Sequence, residues 1–368
     1  MNTSQQLFQA GQSIWYDNIQ RKLLQNGEMA RMIRDGEIRG VTSNPSIFMN
    51  AIAKTADYDA SLIPGKSAEE AFFQLAIEDI QAATDLFQPL YVESEGGDGY
   101  VSLEVSPYLA NDTQATLAQA KSLWQRVNRP NLMVKIPATL AGLPAITEAI
   151  AAGVNINVTL IFSLERYAEV MDAYLAGLEK RLAAGLPLER IASVASFFVS
   201  RVDSNVDARL QKIIQAGGES AAKAESLLGK AAIANARLAY ADFQRVFSSE
   251  RFLQLKAHGA RVQRPLWAST STKNPAYRDV LYVEELIGPH TVNTVPPQTL
   301  TAFLDHGKVR PSLEENLTEA RQSLADLENL GISMAEVTYE LEVEGVKAFA
   351  DAFTVLLKAI EERLGAVS

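Results

Sequence analysis

Short apolar runs alternate with longer segments of helical periodicity along most of the chain. The runs hold five to eight residues each and are rich in β-branched and aromatic side chains, which is typical of strands buried on both faces. The pattern predicts eight strands, at Ser13–Asn18, Ile38–Ser43, Tyr100–Val105, Leu132–Pro137, Ile156–Phe162, Ile191–Phe198, Pro265–Ser269 and Thr291–Val295.

The segments between these runs repeat their apolar positions near the 3.6-residue period of a helix. The clearest examples are Glu69–Phe87, Ser163–Ala184 and the alanine-rich Ala221–Phe247. A further helical pattern, Ile332–Leu364, follows the last predicted strand. We expect this tail to pack over the outside or over one end of the fold.

An alternation of strands and helices predicts an α/β fold whose strands are parallel and joined by right-handed crossovers. Eight such units close most naturally into a (β/α)8 barrel, with the extra helices outside it. We therefore predict one domain over residues 1–368, with a core at about 13–305 and C-terminal helices at about 310–365. An open doubly wound sheet is the alternative, and it would need a glycine loop or a similar device to bind phosphate.

Composition narrows the class of function. Lys and Arg number 34 against 44 Asp and Glu, which gives a formal charge of −10 and argues against nucleic acid as a partner. It leaves room for a small anionic substrate, because a few local cations can override the global charge.

The chain has no cysteine, which excludes disulfides, thiolate catalysis and cysteine-based zinc sites. The three histidines, His258, His290 and His306, fit no HExxH spacing, which argues against a zinc-dependent route to carbanion chemistry. We expect no metal and no cofactor. No apolar stretch reaches ~18 residues and the N-terminus has no signal-peptide pattern. These features predict a soluble cytoplasmic protein without a membrane partner.

Polar and charged residues stand at or near the carboxyl ends of the predicted strands. A barrel brings these ends together at one mouth, where active sites lie. We therefore expect residues that are distant in sequence to converge there: Asp17, Asn44, Glu104, Lys135, Asn157, Thr159, Ser196, Arg201, the run from Ser269 to Lys273, and Asn293.

Lys135 is the most unusual of these residues, because it stands inside the apolar strand Leu132–Pro137. An ammonium group is costly to bury unless it is paired or neutralised. Desolvation in general lowers the pKa of a lysine and yields a nucleophilic amine that can form an imine with a ketone. A buried Lys–Glu ion pair with a structural role explains the position equally well.

Asp17 and Glu104 are the candidates for proton transfer, because imine chemistry must move protons to and from the substrate and water. Taken alone, each acid is better explained as a solvated loop residue or a helix cap.

Arg201 and Lys273 could hold a phosphate group, with Ser269 and its neighbours as hydroxyl donors. The same serines and threonines could instead cap a helix starting near Asn274–Pro275. Asn157 and Thr159 alternate along one strand and would reach the same interior, whereas Asn44 precedes a proline and could be a turn residue.

Seven longer motifs, in order, resemble those of the transaldolase family. The resemblance runs from about Asp17 to about Leu300, through every predicted strand. The motifs are Gly40–Phe48, Val101–Val105, Met133–Thr139, Asn157–Ser163, Ala195–Asp203, Leu266–Pro275 and Thr291–Pro297.

The resemblance implies a metal-free transferase of the pentose phosphate pathway, of the long bacterial type. Such an enzyme moves a dihydroxyacetone unit from sedoheptulose 7-phosphate to glyceraldehyde 3-phosphate, giving erythrose 4-phosphate and fructose 6-phosphate. Sugar phosphates would be its partners, and a homodimer is left open.

The resemblance also assigns roles to single residues. Lys135 matches the lysine that forms the Schiff base, and Asp17 matches the acid/base for carbon–carbon cleavage. Glu104 with Thr159 matches the pair that works through a catalytic water. Asn44, Asn157 and Ser196 match contacts to the dihydroxyacetone hydroxyls, and Arg201 matches a phosphate contact. Shorter transaldolases carry an arginine at the position of Lys273, which leaves the phosphate contact of Lys273 open.

Two alternatives remain. A related lyase cleaves fructose 6-phosphate and releases free dihydroxyacetone, but it has glutamine and tyrosine where this chain has Glu104 and Phe198, which favours the transferase. From another class, the chain could be an inactive barrel that serves as a binding module. The presence of Lys135, Asp17 and Glu104 argues against that second alternative.

Overall fold

A computed structural model describes residues 1–367, and Ser368, the last residue of the predicted domain, lies outside the described residues. Its centre is a curled sheet of seven parallel strands in the order β1-β7-β6-β5-β4-β3-β2. Seven of the eight predicted strands are confirmed within two residues at either end. They are β1 Gln12–Tyr16, β2 Val101–Glu104, β3 Leu132–Pro137, β4 Ile156–Ile161, β5 Ser193–Phe198, β6 Arg264–Ala268 and β7 Thr291–Val295.

The eighth predicted strand, Ile38–Ser43, is wrong as a full strand but right in its position. Val41 alone bridges β1 at Tyr16 and β2 at Val101, both in parallel orientation. The Val41 N–H donates to Tyr100 O at 2.9 Å, and the neighbouring Thr42 N–H donates to Tyr16 O at 2.9 Å. The sheet thus closes into a barrel through this short segment, and the α/β barrel prediction is confirmed.

The backbone just before Val41 lies very close to β1. A Cβ atom on Gly40 would be 2.7 Å from the Trp15 ring, so only glycine allows this approach. After Thr42 the chain turns at once into a helix, since Asn44 caps it and Pro45 occupies its first position.

Sixteen α-helices surround or extend the barrel in residues 1–367. They are α1 Thr3–Gln9, α2 Arg21–Gln25, α3 Glu28–Arg34, α4 Pro45–Phe48, α5 Ala68–Glu93, α6 Thr113–Val127, α7 Gly142–Ala151, α8 Leu164–Ala183, α9 Ser200–Ala216, α10 Glu219–Leu227, α11 Ala231–Val246, α12 Glu250–Ala257, α13 Leu281–Glu285, α14 Pro297–His306, α15 Leu317–Asn329 and α16 Met334–Val367. A π-helical turn at Met49–Ala53 and 3-10 turns at Asp59–Ser61 and Pro107–Leu109 complete the elements.

The long helix predicted at Ala221–Phe247 is wrong, because the structure divides it into α10 and α11. Gly229 separates the two helices with a φ of 69°, a left-handed conformation that glycine adopts at little cost. Its N–H donates to Asp207 Oδ1 at 3.0 Å, and a Cβ there would collide with the ring of Tyr277. Tertiary contacts therefore override the local helical periodicity.

The helical tail predicted at Ile332–Leu364 is confirmed as α16, a helix of 34 residues. It contacts α4, α5, α9 and the 3-10 turn at Pro107–Leu109. It also contacts β4, and so lies at one end of the barrel rather than on its outer side. Among the described residues, no helix combines the length and the apolar character that crossing a membrane requires.

The close approach at Gly40 gives a test of the barrel closure. We expect Gly40→Ala to lower the free energy of unfolding by about 1–3 kcal/mol, because the added methyl group overpacks the fully buried Trp15 ring. Urea denaturation measures this change. Gly365→Ala is the control, since its Cβ would meet no atom within 4 Å, and it should leave stability unchanged or slightly higher. A Gly40→Ala variant as stable as the wild type would contradict the tight packing of Gly40 against Trp15.

Candidate active site

A cavity of about 220 Å³ lies at the carboxyl ends of the barrel strands. It brings together the site residues proposed from the sequence, except Glu104, Asn157, Thr270, Thr272 and Asn293. Its lining residues are Asp17, Thr42, Asn44, Lys135, Thr159, Ser196, Phe198, Arg201, Ala268, Ser269, Ser271, Lys273, Thr294, Pro296, Gln298 and Phe349.

Lys135 reaches the floor of this cavity from the middle of the barrel. It pairs in register with Glu104 on β2 and with Asn157 on β4, so the three side chains form a row across neighbouring strands. Its Nζ donates to Ser43 O at 2.9 Å and lies 3.3 Å from Glu104 Oε2. Lys135 is only 5% exposed, so this charge has the polar partners that a buried ammonium requires.

Glu104 lies behind Lys135 rather than in the wall of the cavity. Burial raises the pKa of Glu104, the Lys135 charge opposes that rise, and the charge of Asp17 adds to it. A glutamate with a raised pKa binds a proton more readily than an exposed one. Glu104 is therefore suited to accept a proton from a neighbouring amine.

Asp17 follows β1 and faces the same cavity. The surrounding protein desolvates its carboxyl group and raises the pKa of Asp17, although the Lys135 charge lowers it in part. Thr42 Oγ1 donates to Asp17 Oδ1 at 2.7 Å and lies 2.5 Å from Thr294 Oγ1. This pair of threonines, which the sequence analysis missed, holds the carboxylate in place. Both stand at strand ends, which is the signal that could have identified them.

Thr159 enters the cavity through an irregularity in β4. The register of β4 against β5 shifts between Val158 and Ile161, and Leu160 between them has a φ of 60°. Such a bulge redirects a side chain next to an active site. Thr159 Oγ1 is fully buried and hydrogen-bonds to no group in the described part of the protein.

Asn157 lies one layer below the cavity, where it holds other side chains. Its Nδ2 donates to Ser102 Oγ at 3.0 Å, and its Oδ1 accepts from Ser196 Oγ at 2.7 Å. Ser196 does line the cavity, so Asn157 orients it. Asn44 also lines the cavity, and its Oδ1 accepts from the Ile47 N–H at 2.9 Å as the cap of α4.

Arg201 and Lys273 supply positive charge to one wall of the cavity. Burial lowers the pKa of Arg201, and partial burial together with the Arg201 charge lowers the pKa of Lys273. Within residues 1–367, neither side chain forms an ion pair with a carboxylate. Lys273 Nζ donates to Ser271 Oγ at 2.8 Å, and the two charges are left available for an anion.

Ser269 stands in a loop after β6, and the alternative of a helix starting near Asn274–Pro275 is wrong. The next helix, α13, begins only at Leu281, so these hydroxyls cap no helix. Ser269 has a φ of 56°, which is uncommon for a serine, and its Oγ lies 3.0 Å from Ser200 Oγ. This strained turn aims the loop toward the cavity.

Two aromatic rings complete the wall. Phe198 stacks under Arg201, whose Cζ lies 5.2 Å from the ring centroid. Phe349 comes from α16, far from the barrel in sequence, and its ring lies over Lys135 with 5.9 Å between Nζ and the centroid. Phe349 has no signal in the sequence pattern, because the periodicity of a helical tail does not indicate where the helix packs.

A larger cavity, of about 570 Å³, lies at the opposite end of the barrel. Of the described residues that line it, Asp98 is the one deeply buried acid. Its Oδ2 accepts from Ser13 Oγ at 2.6 Å and from Arg39 Nε at 2.8 Å, and its Oδ1 accepts from Trp15 Nε1 at 3.0 Å. Because these hydrogen bonds join β1 to the segment before Val41, we interpret the cluster around Asp98 as structural: it stabilises the closed barrel.

Comparison with known proteins matches residues 14–360 to the family described as Transaldolase/Fructose-6-phosphate aldolase. A transaldolase of Parafrankia sp. (strain EAN1pec) is 51% identical over 364 residues, covering 98% of this chain and 97% of that protein. Transaldolase 1 of Streptomyces coelicolor is 51% identical, covering 98% and 94%. A transaldolase of Thermobifida fusca is 50% identical, covering 98% of each chain.

Arg201 and Lys273, which have no carboxylate partner in the described part of the chain, predict an anion site. We expect Arg201→Ala and Lys273→Ala each to weaken the binding of inorganic phosphate about tenfold, because each removes a charged hydrogen-bond donor. Isothermal titration calorimetry measures the Kd. Lys121→Ala, which removes an exposed charge outside the cavity, should leave the Kd unchanged. An unaltered Kd in both cavity variants would exclude this wall as a phosphate site.

Proposed function

The chain belongs to the transaldolase/fructose-6-phosphate aldolase family, and from this premise we propose that it is a transaldolase that works through an imine on Lys135. It transfers a dihydroxyacetone unit from sedoheptulose 7-phosphate to glyceraldehyde 3-phosphate and forms erythrose 4-phosphate and fructose 6-phosphate. One observation carries the proposal: a buried lysine at the strand ends, beside Glu104 and in the same cavity as Asp17.

The first step is imine formation at the substrate ketone. Lys135 attacks the carbonyl carbon as a neutral amine, and its proton passes to Glu104, which the raised pKa makes a good acceptor. The resulting carbinolamine then loses water. Among the described residues, Thr159 Oγ1 is buried without a hydrogen bond and Glu104 Oε2 has only the Lys135 ammonium beside it, at 3.3 Å, which supports a water-mediated proton path between the two oxygens.

The second step is cleavage of the bond between C3 and C4 of the ketose. Asp17 removes the proton of the C4 hydroxyl, the bond breaks, and its electron pair moves into the iminium to give an enamine. An aldose phosphate leaves and the acceptor aldehyde takes its place. The same steps then run in reverse, with Asp17 as the acid, and form the new ketose.

The polar side chains around Lys135 would orient the sugar. Asn44 and Ser196 line the cavity and would bind the dihydroxyacetone hydroxyls, with Asn157 acting through Ser196. Arg201 and Lys273 would bind the phosphate, and Ser269 in the same wall would add a hydroxyl donor.

Transfer rather than release requires that the enamine survive until the acceptor binds. Phe198 lines the cavity where the lyases of this family carry a tyrosine, and a phenyl ring has no proton to give to the enamine. This favours a transferase over a lyase that frees dihydroxyacetone.

We also propose that residues 1–368 form one domain and that the enzyme works in the cytoplasm. The packing of α16 against the barrel supports the first proposal. Sugar phosphates are charged metabolites made and used inside cells, which supports the second.

Borohydride trapping tests the central proposal. Incubation with fructose 6-phosphate followed by reduction should leave a dihydroxyacetone adduct on Lys135, located by mass spectrometry of a digest. Lys135→Ala should form no adduct and lose activity by about 10³-fold or more, while circular dichroism shows a folded protein, since Glu104 can be protonated in place of pairing. An adduct on another lysine, or normal turnover in the variant, would refute the mechanism.

The raised pKa of Asp17 predicts the acid limb of the pH profile. Asp17 must be deprotonated to act as a base, so kcat/KM should fall as the pH drops through a value above the ~3.9 of an exposed aspartate. Asp17→Asn should lower kcat about 100-fold or more. The surface variant Asp57→Asn should keep the wild-type profile. Full activity down to pH 4 would contradict the role given to Asp17.

A further inference from the structure

The C-terminal helix places one aromatic side chain in the wall of the cavity. Phe349 is 5% exposed and lines the cavity together with Lys135, Asp17 and Phe198. Its ring lies over Lys135 Nζ, with 5.9 Å between the nitrogen and the ring centroid. The face of an aromatic ring attracts a cation, so Phe349 is suited to cover a positively charged nitrogen at this position.

The position of Phe349 is held by contacts along the helix. Gly345, one turn earlier, allows close packing, because a Cβ there would be 3.0 Å from Leu160 Cδ2. Phe353, one turn later, packs edge-on against Phe72 with 5.2 Å between centroids and against Tyr108 with 5.3 Å. Packing contacts one turn before and one turn after Phe349 therefore hold its ring over the cavity.

Ion pairs and hydrogen bonds at both ends of α16 support the same placement. Arg209 Nη2 lies 2.5 Å from Glu340 Oε2, which joins α16 to α9. Near the other end, Arg363 donates to Ile52 O at 2.7 Å and to Ala53 O at 3.0 Å. The ring sits between these two anchors.

We propose that Phe349 is a specificity-determining residue that keeps water away from the Lys135 adduct and so commits the bound three-carbon unit to transfer. This inference rests on the proposed function. According to this proposal, α16 favours transfer over hydrolysis. The barrel strands alone do not exclude water, because the cavity opens toward solvent at Gln298 and Lys273.

The reaction that Phe349 opposes is hydrolysis of the enamine. The enamine carbon takes a proton and the adduct becomes an iminium on Lys135. Water then adds to the iminium carbon, the carbinolamine loses its carbon–nitrogen bond, and that electron pair returns to nitrogen with a proton. In sum, enamine and water give free dihydroxyacetone and the free amine. A ring that covers the adduct hinders both entry of the proton donor and addition of water.

Phe349 and Phe198 act from different sides. Phe198 belongs to β5 and stacks under Arg201, on the wall that would hold the phosphate. Phe349 comes from α16 and covers the nitrogen of Lys135 itself. Neither ring replaces the other, so loss of Phe349 alone should expose the adduct.

The experiment measures two products from fructose 6-phosphate, with and without erythrose 4-phosphate as acceptor. Free dihydroxyacetone reports hydrolysis, and sedoheptulose 7-phosphate reports transfer. Phe349→Ala removes the ring above Lys135. If that variant does not fold, Phe349→Val removes the ring with a smaller loss of volume. Phe349→Leu refills the space with an apolar side chain. Val355→Ala is the matched control, because Val355 lies on α16 but is 55% exposed and outside the cavity.

We expect the ratio of hydrolysis to transfer to rise about tenfold in Phe349→Ala and to stay within about twofold of wild type in Phe349→Leu and Val355→Ala. A merely structural role would slow both reactions together and leave the ratio unchanged, and that result overturns the inference while leaving the proposed function in place. If the wild type forms no borohydride-trapped adduct on Lys135, the proposed function fails and the inference fails with it.

Discussion

The ammonium group of Lys135 lies 3.3 Å from the Glu104 carboxylate, in a barrel interior whose strands are covered on both faces. Two charges in such a place cost solvation energy, and their attraction offsets that cost only where further polar contacts are made. Ser43 O supplies one of these contacts to the amine. The pair places an amine directly beside a carboxylate that can accept its proton. A merely structural ion pair would not need an open cavity beside it or a second carboxylate, Asp17, facing the same space.

Closure of the barrel places the Lys135–Glu104 pair beside an enclosed cavity that can bind a substrate. Val41 bridges β1 and β2, so the sheet is closed and the carboxyl ends of its strands stay together around the cavity. Closure also concentrates charge. The chain carries a formal charge of −10, yet Arg201 and Lys273 stand in the cavity wall without a carboxylate partner in the described residues. An acidic protein can thus attract an anionic sugar phosphate, because the local field at the mouth differs from that of the whole surface.

The C-terminal helix has a separate role. The barrel residues bind and activate the substrate, whereas α16 contributes a ring to the cover of the cavity. This division suits a transferase, whose intermediate must outlast the departure of one aldehyde and the arrival of another. It also accounts for Gly345, where the close packing of the helix leaves little space for a side chain.

The sequence by itself determined most of the barrel and most of the site. Buried parallel strands have continuous apolar runs, so a polar residue such as Lys135 inside one is visible without any structure. Only the tertiary structure decided the rest. One predicted strand is a single bridge at Val41, next to the tight Gly40–Trp15 contact, and Phe349 enters the site from a distant helix. Both depend on contacts between segments far apart in the chain, which local periodicity does not contain.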